Sequence, residues 1–171
     1  MKSLLINKQH WEIMVLTVKQ KLEEAKTLIS SKRFPEAVEL LRSLDSPEPE
    51  TVEYGHYCLL YAEASLYVGD CHTELIDDAI EIFRFGPRTN EFAKAKLLKG
   101  WLLSTQSKYI DAKEELLEAY ANYRRCNNLS GSSRALSLLS YASHQLGDIH
   151  SAMANLDKCA TIYRQLSLIH I

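Results

Sequence analysis

An all-α fold, built as a right-handed superhelical array of about four antiparallel helix hairpins, is what the sequence predicts. Three observations predict it. One helical pattern recurs four times, with anchor alanines Ala37, Ala79, Ala112 and Ala152 at intervals of 42, 33 and 40 residues. Turn signals split each copy into two helices. Six glycines and four prolines in 171 residues leave long stretches able to stay helical.

Each copy shows the pattern in its second helix. In YIDAKEELLEAY, residues 109–120, Tyr109, Ala112, Leu116 and Ala119 recur at intervals of three and four and so share one helix face. The other copies supply Phe34, Ala37, Leu41 and Leu44, then Ile76, Ala79, Phe83 and Gly86, then Ile149, Ala152, Leu156 and Cys159. The first helices are expected over 17–31, 51–68, 90–106 and 132–146. The turns between the two members are Ser31-Lys32-Arg33, Gly69-Asp70, Ser107-Lys108 and Gly147-Asp148. A glycine in the left-handed conformation ends a helix at low cost, and the following aspartate can cap the next. The hairpins therefore span about 17–47, 51–86, 90–125 and 132–166, with residues around His72-Thr73-Glu74 inserted in the second. A polar, capped link is expected over 124–133. One hairpin cannot bury its apolar face alone, so neighbours must cover each other. Ala62, Gly100 and Ser140 mark close approaches between helices.

The stretch LSYASHQLGDIHSA, 139–152, resembles the tetratricopeptide repeat, which places a small residue in the first helix, glycine at the turn, then alanine, a large residue and a second alanine. The spacing near 40, with Tyr123-Arg124 and Tyr163-Arg164 closing second helices, is similar to repeats in bacterial transcriptional activators that sense maltose-type inducers. The resemblance covers about 17–166 and implies a solenoid that binds other molecules. Lys96 and Lys99, like Lys21 and Glu24 in the first copy, stand where the family has large apolar residues, which leaves the register of those two helices open.

No catalytic constellation is legible. The six histidines share no motif, none lies in HExxH, no serine lies in GxSxG, and no GxxxxGK[ST] loop exists. Cys71-His72 is the only adjacent thiol–imidazole pair, and adjacent side chains diverge. Four dispersed cysteines without a CxxC pair suggest neither zinc nor a disulfide framework, and Cys58 and Cys159 read as small core residues. No cofactor or metal is expected, and the chain reads as a non-enzyme.

First helices line the concave side of such arrays. Their expected stripes are Lys19, Leu22 and Lys26; His56, Leu59, Glu63 and Tyr67; Lys94, Leu97, Trp101 and Thr105; and Arg134, Ser137, Tyr141 and His144. Cations attract acidic groups, and rigid aromatics give large contact area at low entropic cost. The expected function is a scaffold or adaptor that binds a peptide or helix of another protein in this groove. The alternative is a regulatory sensor segment of a larger signalling or transcription protein that binds a small effector. Peptide-tail receptors of the resembled family clamp a terminal carboxylate with lysine, arginine and asparagine. Lys94 and Arg134 echo that arrangement, but no asparagine matches.

The net charge of −2 offers no footprint for a nucleic-acid backbone. No stretch approaches a signal peptide or a membrane span, so the protein is expected in the cytoplasm or elsewhere inside the cell. Residues 1–16 are expected as an N-terminal helical extension, and 7–18 as a helix covering the first hairpin. The apolar tail 167–171 suggests a truncation, or an end buried in a partner or a second copy.

Overall fold

The computed structural model describes residues 18–70, 72–85, 87 and 89–169, and all regular structure in them is helical. The expected N-terminal extension lies outside the described residues, as do Gly86 and the last two residues of the tail 167–171. The chain divides into two compact units, Met1–His72 and Thr73–Ile171.

The first unit contains α1 over 18–30, α2 over Phe34–Arg42 and α3 over Val52–Val68. Ala37 and Val38 of α2 pack with Ala64 of α3, and Leu28, Ile29 and Tyr61 close around them. In α1, Leu22 and Ala25 are the buried residues, while Glu24 is exposed and Lys21 half-buried. That fixes the register the sequence left open. The Phe34 and Tyr67 rings stack at 3.8 Å. Thr51 starts α3 by accepting a hydrogen bond from the Tyr54 N–H at 3.1 Å.

The second unit contains α4 over Thr73–Phe83, α5 over Thr89–Thr105, α6 over Tyr109–Arg125, α7 over Leu129–Gln145 and α8 over Ile149–Ile169. Each helix packs on the next, and α5 also touches α7. This is the consecutive packing of a helical array. The central core joins Ala93 and Leu97 of α5, Leu116 and Tyr123 of α6, Leu136 and Leu139 of α7, and Cys159 and Ile162 of α8.

The anchor alanines all face inward: Ala37, Ala79 and Ala112 are 0% exposed and Ala152 is 5%. Their neighbours are small for a reason. A β-carbon on Gly100 would sit 2.5 Å from Leu116 Cγ and 3.2 Å from the Ala112 carbonyl oxygen. Forty residues on, Ser140 donates its hydroxyl to the Ala152 carbonyl at 2.9 Å. The same close crossing is thus solved once by a missing side chain and once by a hydrogen bond.

One cap recurs at five helix ends. The left-handed residue after each helix bonds three residues back, and the next bonds five back, which satisfies two carbonyls otherwise left open. Lys32 and Arg33 do this for α1, Gly69 and Asp70 for α3, and Ser107 and Lys108 for α5. Asn127 and Asn128 repeat it for α6, and Gly147 and Asp148 for α7. Asp148 then accepts the Ser151 N–H at 3.0 Å and so caps α8.

Two expectations need correction. The link expected over 124–133 shrinks to Cys126–Asn128, because Asn128 caps α7 through the Gly131 N–H at 2.7 Å. The small residues that follow are helical, and Gly131 sits directly against the Tyr123 ring. On α8, Ile149 and Leu156 were expected to point inward but are 50% and 53% exposed. Leu116, the α6 counterpart of Leu156, is sealed between α5 and α7, whereas no described helix follows α8.

Candidate functional site

The second unit brings part of the expected groove together. Lys94 and Trp101 lie seven residues apart on α5, as do Arg134 and Tyr141 on α7, so each pair shares a helix face. The two pairs stand at equivalent positions of adjoining first helices. Lys94, Trp101 and Arg134 are half-buried, while Tyr141, Ser137, Thr105 and His144 are exposed. Tyr141 meets Tyr109 edge-on with ring centroids 6.1 Å apart. The neighbouring Tyr109 phenol holds the Tyr141 pKa above its ordinary value. Leu97 does not belong to this face. It is fully buried beside Leu116 and Leu136, because its turn of α5 is aimed into the core.

In the first unit, Lys19 pairs with Glu53 at 3.5 Å and Lys26 with Glu23 at 2.5 Å. His56 is half-buried, and Tyr67 carries Phe34 on its ring. Glu63 is corrected: it is 5% exposed, as Leu59 is 3% and Leu22 5%. The central turns of α3 are buried on nearly every side, and burial there encloses position 63 with its neighbours Ala62 and Ala64.

A second feature went unnoticed in the sequence. A cleft of about 430 Å³ opens among α4, α5 and α6, lined by Arg84, Phe92, Lys96, Glu118, Asn122 and Arg125. Lys96 holds its floor. Its ammonium lies 2.6 Å from Glu115, 2.8 Å from Glu118 and 5.9 Å from the Phe92 ring centroid. Burial alone would lower the Lys96 pKa, but the hydrogen bonds its ammonium donates to the two glutamates outweigh it and the net shift is upward. Lys99 reaches Asp77 of α4 at 2.5 Å. The two lysines that broke the apolar pattern are therefore inter-helix ion pairs, and that breach was the available signal.

Among the described residues no group of three or more histidine, cysteine, aspartate or glutamate side chains could hold a metal ion. No described helix is long and apolar enough to cross a membrane. Cys58 and Cys159 are buried, and the Cys159 thiol lies 3.4 Å from the Ser133 carbonyl oxygen. The chain matches no protein-family model, and no curated protein is similar to it.

Proposed function

We propose that this protein is a non-catalytic interaction module of tetratricopeptide type, which works inside the cell and holds a peptide or helix of another protein across α5 and α7. One observation carries the reading: the same cation–aromatic pair is repeated at equivalent positions of two adjoining helices, as Lys94 with Trp101 and Arg134 with Tyr141. A repeated pair suits an elongated ligand. The cations steer and orient acidic groups, and the aromatics supply contact area. Carboxylate-bearing segments with apolar residues one or two turns away fit this face best. The test is capture from a native extract with wild type and with a Lys94→Glu/Trp101→Ala variant of unchanged circular dichroism. A protein lost only with the variant supports the reading, and an unchanged set of captured proteins counts against it.

The cleft beside Lys96 favours a second reading, a sensor segment for a small anionic effector. Arg84 and Arg125 stand at its edge, and Phe92 offers a ring face. A thermal-shift series with small carboxylates and phosphates, repeated on Arg125→Glu, separates this reading from the first. Only a cleft ligand would lose its effect in that variant.

A further inference from the structure

The last helix displays an apolar stripe that no other described helix covers. Ile149, Met153, Leu156 and Tyr163 of α8 are each half or more exposed, and Ala160 lies open between them. Their spacing, four then three and again four then three, is the seam spacing of a left-handed two-helix pair. The equivalent surface of α6 shows what such a stripe does in this fold. Leu116 and Tyr123 stand where Leu156 and Tyr163 stand in α8, and the packing of α7 seals them to 0% and 3% exposure. The stripe thus continues a face already used within the chain to hold a helix.

We propose that α8 pairs antiparallel with α8 of a second copy of this chain, across a two-fold axis. Closed two-fold dimers are the commonest assembly of identical chains. The stripe is complementary to itself. Setting Met153 opposite Leu156 of the other copy makes the large Ile149 meet the small Ala160 at both ends. The exposed row beside the stripe, His150, Asp157 and Arg164, then brings Asp157 within a turn of His150 from the other copy. The other well-overlapped register, shifted by seven residues, would set Asp157 against Asp157 and His150 against Arg164. Charge therefore selects the first register. Antiparallel pairing also opposes the two helix dipoles. On the stripe's other flank Ala152, Cys159 and Ile162 are buried in the chain's own core, so among the described side chains of α8 the stripe is the apolar arc left open.

Sedimentation equilibrium of the full chain over a wide concentration range tests this pairing. Wild type should rise from 19.5 kDa to twice that mass and stop there. Leu156→Glu should remain at 19.5 kDa and melt as dilute, monomeric wild type does, since position 156 is more than half exposed. In a Cys126→Ser background, Ile149→Cys/Ala160→Cys should oxidise to a covalent dimer, while Met153→Cys/Tyr163→Cys should not. A wild type that stays monomeric overturns the proposal and assigns the stripe to a helix of a different protein. So does a dimer indifferent to Leu156→Glu, a mass that climbs without limit, or cross-linking only through the second cysteine pair.

Discussion

The ammonium of Lys96 on α5 lies 2.6 Å from the Glu115 carboxylate on α6, with its side chain only 14% exposed. A cation this sheltered, held by two glutamates, ties the second hairpin member to the first. Removing it leaves Glu115 and Glu118 facing each other without their shared counter-ion. Lys96→Met should therefore destabilise the protein by about 1–2 kcal/mol, since losing one partner of a sheltered pair costs more than losing an exposed one. The pH dependence has a definite sign. The folded pKa lies above the ordinary 10.5, so the pair's contribution is whole below that value and is lost as pH rises through the folded one. Denaturant melts of wild type should weaken in that alkaline window, and Lys96→Met should lack the step.

Gly131 and the Tyr123 ring leave no room for a methyl group. Gly131→Ala raises helix propensity yet should still cost about 1–3 kcal/mol by overpacking, because an aromatic ring cannot bend aside. Trimming the ring in Gly131→Ala/Tyr123→Leu should cost less than the sum of the two single changes. Chemical denaturation of the four proteins measures that coupling. Additive losses would mean the ring and the glycine do not constrain each other.

Ser107 adopts φ 60°, the left-handed conformation that Gly69 and Gly147 fill in equivalent turns. Ser107→Gly should relieve that strain, offset in part by the greater freedom of glycine in the unfolded chain. The net gain should be about 0.5 kcal/mol, or roughly 1–2 °C in thermal midpoint for a chain of this size. Scanning calorimetry resolves a shift of that size, and a lower midpoint would contradict the turn geometry.

The parts of this fold that follow from local chemistry could be read from the residues. The anchor alanines face inward because intervals of three and four put them on one helix face. The turns at 69–70 and 147–148 end helices because glycine takes the left-handed conformation freely. What depends on distant neighbours could not be read. Lys96 and Lys99 looked like breaches until Asp77, Glu115 and Glu118, some 19 to 22 residues away, came opposite them. Leu97 was assigned to the groove because its spacing fits, but spacing cannot say which side of α5 faces α6. Ile149 and Leu156 carry the same pattern as Tyr109 and Leu116, and a pattern holds no information on whether another helix follows. Residues 129–133 read as a loop because glycine and serine favour turns, yet small residues are what the Tyr123 ring demands of α7.

The face formed by α5 and α7 is tested most directly by titrating the captured partner into wild type and into Lys94→Glu/Arg134→Glu, with Arg125→Glu at the cleft as control. The expected result is at least about tenfold weaker binding for the first variant, with a reduced dependence on salt, and unchanged binding for the control. Binding that survives reversal of both Lys94 and Arg134, or that fails only with Arg125→Glu, would contradict it.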